Sequence, residues 1–288
     1  MKKLVLNAGN LSRRTLIGDA AKIAVTLLAG PAIIGVTKEP AAAASRRALV
    51  GAIKPTARVE SDADIIKLLP PGIDLLPVGI GFRKGTADEF KAGIPAYQEE
   101  VAYLAGQHCN LISAEGAPPF MILGPQKEAS LTADWEREYK TPVFTASQNQ
   151  VHALHAVNAK NIFGATYFPE NLNKIYARYF TDCGFNVLRM DGLDLKSTSF
   201  TKIQDIPSSE VYRFIKNNFL KAKGADVIYM LGSGWETLDI IDRLEQDLQV
   251  PVIQPVAARA WEIQKRLHIE KPVTGYGQLL ATLPDCGC

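Results

Sequence analysis

The chain has 288 residues, 47% of them hydrophobic and 22% charged, a composition that excludes a disordered or low-complexity protein. Its formal net charge of +2 is unevenly spread. The first 44 residues hold Lys2, Lys3, Arg13, Arg14, Lys22 and Lys38 against Asp19 and Glu39, leaving −2 on the remainder. No basic field remains there to bind nucleic acid or an anionic membrane.

At the N-terminus, Arg13-Arg14 follows Ser12 and precedes Leu16-Ile17, an apolar stretch and an Ala-rich exit. Residues 1–44 therefore read as a twin-arginine export signal, with cleavage expected near Ala42–Ala44 and a periplasmic address. The export machinery is then one partner. A membrane anchor is the competing reading, but residues 21–36 are short for a span of about 20 residues, and Gly30-Pro31 interrupts them.

From Arg46 onward, short apolar runs alternate with amphipathic stretches. The predicted strands are 48–53, 75–81, 109–114 and 142–146, then 161–166, 185–190, 226–231 and 251–255. Helical patterns cover 86–107 (with Thr86 as N-cap), 147–159, 169–183, 208–224, 236–248 and 257–268. This alternation predicts an α/β protein of two similar Rossmann-like halves, each a four-stranded parallel sheet flanked by helices, with the ligand cleft between them. The first half spans 45–146 and is completed by 257–280; the second spans 147–256, and 281–288 form a tail.

Cysteine and histidine supply no metal or redox signature. Cys109 starts a strand and Cys183 ends a helix, both away from the expected cleft. Cys286 and Cys288 sit in the tail without a histidine nearby. His152 and His155 share a helix face, where a satisfied or solvated pair is the simpler reading.

Ligands of open parallel sheets bind beyond the carboxyl ends of the strands. Two turns there mirror each other, "SAEGAPP" after the third strand and "MLGSGWE" after the seventh. Both present backbone N–H groups where a strand is expected to meet a helix, a setting that favours anions. "GSG" lacks the lysine of a phosphate loop and the spacing of a nucleophile elbow. By itself it is equally a tight turn.

Residues 47–280 resemble the arylmalonate decarboxylase and maleate isomerase branch of the aspartate/glutamate racemase superfamily. The likeness runs collinearly through "LVGAIKPTARVESDADIIKLLPPGIDLLPVGIG", "CNLISAEGAPPFMILG", "TPVFTASQNQVHALHAVNAKNIFGATYFPENLN", "GSGWETLDIIDRLEQDLQVPVIQPVAARAW" and "KPVTGYGQLL". It implies cofactor-free, metal-free chemistry on a small carboxylate. Cysteines tuned from about 8.5 carry protons in such a site, and amides stabilise the enediolate-like charge.

In this chain the first cysteine position falls on Gly116, as in the family's decarboxylases. The second falls on Gly232, or on Ser233 with a one-residue shift. The family tyrosine falls on Phe168 by strict register, or on Tyr167 when shifted. The resemblance then implies Glu115, Ser233 and Tyr167 as catalytic candidates, with Gly116, Ala117, Gly232, Gly234, Thr56 and Ser147 holding the substrate.

Glu115 serves as a base if Pro118, Pro119, Phe120 and Trp235 raise its pKa; otherwise it is a helix N-terminal acid. Glu236 reads as a capping-box acid after Ser233. Arg58, Arg83 and Lys84 share the rim, most simply as solvated charges with at most one meeting an anionic ligand. The expected function is a decarboxylase, isomerase or racemase-like protein without the usual cysteines. A non-catalytic exported binding protein for a small carboxylate is the alternative, and a Ser233 hydrolase is weaker for want of a placed histidine.

Overall fold

The computed structural model describes residues 46–56, 60–193, 195 and 200–286. The export segment, Arg58 and Cys288 lie outside the described residues.

Eight strands form two parallel sheets. The first comprises β1 (Ala48–Lys54), β2 (Ile73–Gly79), β3 (Leu111–Ala114) and β4 (Val143–Thr145), in the order β2-β1-β3-β4. The second comprises β5 (Asn161–Thr166), β6 (Asn186–Gly192), β7 (Val227–Met230) and β8 (Val252–Ile253), in the order β6-β5-β7-β8. The two orders are the same permutation, so the halves share one topology. Every predicted strand is present.

Burial explains why these runs read as strands. β3 and β7 are buried along their whole length and β1 at all but one position, as expected for inner strands covered on both faces. The edge strands β2 and β6 are only partly covered, and β2 tolerates Pro77 because an edge strand can forgo a ladder donor.

The helices are α1 (Glu60–Leu68), α2 (Ala87–Ala92), α3 (Ile94–Gly106), α4 (Ala117–Leu123), α5 (Pro125–Tyr139), α6 (Ala146–Ala156), α7 (Glu170–Asp182), α8 (Ser208–Phe219), α9 (Ile241–Leu248), α10 (Pro255–Leu267) and α11 (Gln278–Thr282). Thr86 caps α2, its Oγ1 accepting the Glu89 N–H at 3.3 Å. The predicted 86–107 helix is broken at Gly93, because Pro95 lacks the N–H needed to continue the ladder and begins a new helix instead. The same asymmetry puts Pro118-Pro119 in the first turn of α4, where the sequence suggests only a turn.

α10 leaves β8 and packs on α1, α6 and β3 of the first half. Its Ile263 joins Val50, Leu111 and Phe144 in a small core on that sheet. α10 thus starts at the end of β8 and covers part of the first sheet.

Candidate functional site

A pocket with about 600 Å³ of empty space, its open mouth included, lies at the carboxyl ends of the strands of both sheets. Pro55 and Thr56 enter from the end of β1, Glu115–Pro119 from β3 and α4, and Ala146, Asn149 and Gln150 from α6. The second half contributes Tyr167 and Phe168 after β5, Gly232 and Ser233 after β7, and Pro255, Val256 and Arg259 at the start of α10. Phe90 of α2 completes the lining, and most of the wall is apolar.

Two charged side chains face this pocket, and they meet. Arg259 Nη1 contacts Glu115 Oε1 as an ion pair, with Arg259 6% and Glu115 7% exposed. Burial pushes the Arg259 guanidinium down to about 10, against an opposing pull from the Asp62 carboxylate, so it stays charged at neutral pH. Glu115 Oε1 and Arg259 Nε each lack a hydrogen-bond partner despite burial.

The backbone around Glu115 is fixed from two sides. Its N–H donates to the Ile53 carbonyl at 2.9 Å, and its carbonyl accepts the Tyr97 hydroxyl at 2.5 Å. Burial holds the Tyr97 phenol far above its ordinary value, so it remains a donor. Gly116 then turns the chain into α4 with φ +89°, a region that disfavours other residues.

On the other wall, Thr166 and Asn173 lock the turn after β5. Thr166 Oγ1 donates to Asn173 Oδ1 at 2.7 Å and accepts the Phe168 N–H at 3.0 Å, while Asn173 Nδ2 donates to the Phe168 carbonyl at 2.9 Å. Tyr167 is held edge-on to Trp235 at 5.2 Å and beside Phe168 at 4.6 Å, its hydroxyl accepting the Gly234 N–H at 3.3 Å.

Gly232 has φ +102°, and a Cβ built on it would lie 2.3 Å from Tyr167 Cζ and Oη. At Gly116 a Cβ would lie 2.9 Å from Pro55 Cβ and 3.0 Å from Tyr97 Oη. Neither glycine position accepts a side chain without rearrangement, whereas Ser233 carries one into the lining.

Among the expected site residues, Glu115, Gly116, Ala117, Thr56, Tyr167, Gly232 and Ser233 line the pocket together. Two do not. Ser147 is fully buried and donates its hydroxyl to Glu128, because that carboxylate sits directly beneath the start of α6. Gly234 stands behind the lining, with its N–H engaged by Tyr167.

The turn after β7 also differs from expectation. No helix starts at 236: a short 3₁₀ turn spans Leu238–Ile240 and α9 begins at Ile241. Glu236 is exposed and caps nothing in the expected way, since Trp235 turns inward to join Tyr167 and Phe214 and pulls the chain off a helical path. A helix dipole therefore does not support that turn.

Arg83 and Lys84 are exposed and do not line the pocket, with their backbone N–H groups on the Glu89 carboxylate. Cys109 and Cys183 do not line the pocket, and burial pushes the Cys183 thiol up to about 11, with the Glu128 carboxylate adding to the rise. His152 binds Glu262 at 3.1 Å and His155 packs on Phe185, so the histidine pair is satisfied structurally. Among the described residues, no cluster suited to a metal ion occurs.

The sequence reading missed Arg259, Asn149 and Gln150. For Arg259 a signal exists, a lone cation in "VAARAW" whose neighbours Ala258, Ala260 and Trp261 are all buried.

Two topologically equal α/β halves that close on one small, largely apolar pocket with a single buried ion pair define a cleft protein of the arylmalonate decarboxylase and maleate isomerase fold. The chain belongs to the arylmalonate decarboxylase family, whose model matches residues 50–280. It is 23% identical over 231 residues to arylmalonate decarboxylase of Bordetella bronchiseptica, covering 80% of this chain and 95% of that protein. Among solved structures, a double mutant of arylmalonate decarboxylase in liganded form superposes with a TM-score of 0.75 at 22% identity, covering 81% of this chain and 98% of that one. Maleate isomerase from Pseudomonas putida S16 gives a TM-score of 0.74 at 17% identity, covering 82% and 99%.

Proposed function

We propose that the protein is a cofactor-independent decarboxylase or isomerase-like protein for a small carboxylic acid, in which Glu115 carries the proton. The observation that carries this reading is the Glu115 carboxylate itself, the one acid among the described lining residues of a mostly apolar pocket, held in place by Arg259. Relatives lend support: the P. putida isomerase is solved with maleate, and a Nocardia farcinica maleate isomerase variant with a succinylcysteine intermediate. In this chain the family's cysteine positions fall on Gly116 and on Gly232 or Ser233. Ser233 and Tyr167 hydroxyls then hold the substrate carboxylate, and no pocket histidine makes Ser233 a nucleophile.

Proton NMR in D₂O tests this reading with arylmalonates, alkylmalonates, maleate, hydantoins, aspartate and glutamate. Turnover or α-proton exchange that disappears in Glu115→Gln is the expected result. The second reading is a non-catalytic carboxylate-binding protein, favoured by the fixed pairing of Glu115 with Arg259, which costs it freedom as a base. Its signature is silence across the panel with one carboxylate broadened, an effect that Ser233→Ala removes.

The Arg13-Arg14 pair supports export by the twin-arginine route. Replacing both with Lys should leave the protein uncut and inside the cell; unchanged export would refute the assignment.

A further inference from the structure

The ion pair, the buried atoms without partners and the apolar wall together specify a ligand more narrowly than the family fold does. Among the described residues, Arg259 is the one cation lining the pocket and Glu115 the one anion, and the two pair with each other. Glu115 engages Nη1, which leaves the Arg259 Nε donor without a partner. One acceptor is unmet: Asn149 Oδ1 has no partner although Asn149 is 1% exposed, while Glu115 Oε1 meets only the Arg259 guanidinium. Buried polar groups in folded proteins are nearly always paired, so each such atom at a pocket wall marks a position that a ligand or water fills.

We propose that Arg259 is the anion seat of this pocket, and that the ligand is a monocarboxylate with an apolar body and a hydrogen-bond donor, a hydroxyl or an ammonium. The inference rests on the reading of the pocket as a small-carboxylate site. The carboxylate that the Ser233 and Tyr167 hydroxyls hold also meets the free edge of the guanidinium. The donor meets Glu115 Oε1 and Asn149 Oδ1, and the body packs on Pro55, Phe90, Pro118 and Val256.

Among the described residues, a second carboxylate has no further cation to meet, because Arg259 is the one guanidinium in the lining. Burying that charge near the Glu115 carboxylate, in apolar surroundings, is unfavourable twice over. Malonates and maleate are therefore poor ligands here, and a hydroxy or amino monoacid is a good one.

Calorimetric titration of the chain with two matched series tests this. The aryl series is mandelate, phenylglycine, phenylacetate and phenylmalonate; the three-carbon series is lactate, alanine, propionate and malonate. The expected result is binding of the hydroxy or amino acid at least tenfold tighter than the plain monoacid and at least a hundredfold tighter than the diacid. Which of mandelate and phenylglycine leads identifies the donor. Glu115→Gln should recover at least tenfold of the diacid deficit, and Asn149→Ala should narrow the advantage of the donor-bearing acid.

Arg259→Met leaves Glu115 buried and unpaired and can unfold the protein, so the charge-free Arg259→Met/Glu115→Gln double variant is measured beside it. It should lose carboxylate binding in both series while keeping a native melt. Tightest binding by phenylmalonate or malonate overturns this inference and leaves the small-carboxylate reading standing. Absence of binding by every acid overturns both.

Discussion

Placing a cysteine at Gly232 should fail for a geometric reason, while placing one at Ser233 should not. The added Cβ at 232 would lie 2.3–2.4 Å from three atoms of the Tyr167 ring, against an ordinary contact of at least 3.4 Å, so the ring must retreat by about 1 Å. That ring is wedged between Phe168 and Trp235 and tied to the Gly234 N–H. Overpacking of this kind costs about 1–3 kcal/mol. Holding φ near +102° with a side chain costs roughly 1–3 kcal/mol more.

Gly232→Cys should therefore lose about 2–6 kcal/mol, or about 5–20 °C in Tm for a folded unit of this size. Ser233→Cys, at a half-buried residue without positive φ, should lose under about 1 kcal/mol. Urea titrations of both, with Tyr167→Ala and the Gly232→Cys/Tyr167→Ala double variant, complete the cycle. The double variant should be more stable than the sum of the singles by about 1–3 kcal/mol, because removing the ring removes the clash. Additive losses, or a Gly232→Cys protein as stable as the parent, would refute the steric argument.

Three further outcomes follow from buried acids and thiols. Burial raises the Glu128 carboxyl although the hydroxyls of Thr145, Ser147 and Tyr179 oppose the rise, so the fold keeps its proton longer than the unfolded chain does. Its stabilisation is complete below the ordinary 4.5 and is lost as pH rises through the higher folded value. Glu128→Gln should flatten the decline of Tm with pH over that window, and superimposable profiles would show that Glu128 ionises alike in both states. Glu89 has the opposite sign: burial would raise it, but the N–H groups of Arg83, Lys84 and Gly85 outweigh burial and lower it. Its contribution is present above 4.5 and lost in acid, so Glu89→Gln should cost about 1 kcal/mol or less at pH 7 and nothing near pH 3. In a Cys286→Ser/Cys288→Ser background, Cys183 should react with a disulfide reagent at pH 8 on the order of a hundredfold slower in the native than in the denatured state, measured by thiol release.

The strands were legible because each is a short apolar run bounded by turn residues, and the regular alternation with helices pointed to two similar parallel halves, in line with the shared strand order of the two sheets. What the pattern hid were helices whose starts contain proline. Pro95 falls inside one predicted helix, and Pro118 and Pro125 lie outside the predicted helical spans, yet each sits in a first turn, where a missing N–H costs nothing. The turn after β7 was misread for the converse reason. "GSGWET" has the glycine, the hydroxyl and the acid of a helix start, but the burial of Trp235 decides the path, and no local signal reports where an indole will pack.

The site divides in the same way. Residues that follow strands could be placed by topology, and Glu115, Gly116, Tyr167 and Ser233 meet where the strand ends converge. Arg259 could not, since it reaches the pocket only because α10 crosses from the second half to cover the first. Its presence changes the chemistry open to the lining. Racemisation by two bases needs a proton carrier on each face of the substrate carbon. Here the first half supplies a carboxylate already bound to a guanidinium, and the second supplies the hydroxyls of Ser233 and Tyr167, with the tyrosine ring standing where a side chain at 232 would be. On the proposed reading of Glu115 as the proton carrier, a lining of this kind would deliver or accept a proton on the Glu115 side alone. It suits protonation of one face after loss of carbon dioxide, or the holding of a single carboxylate, and is unsuited to exchange across both.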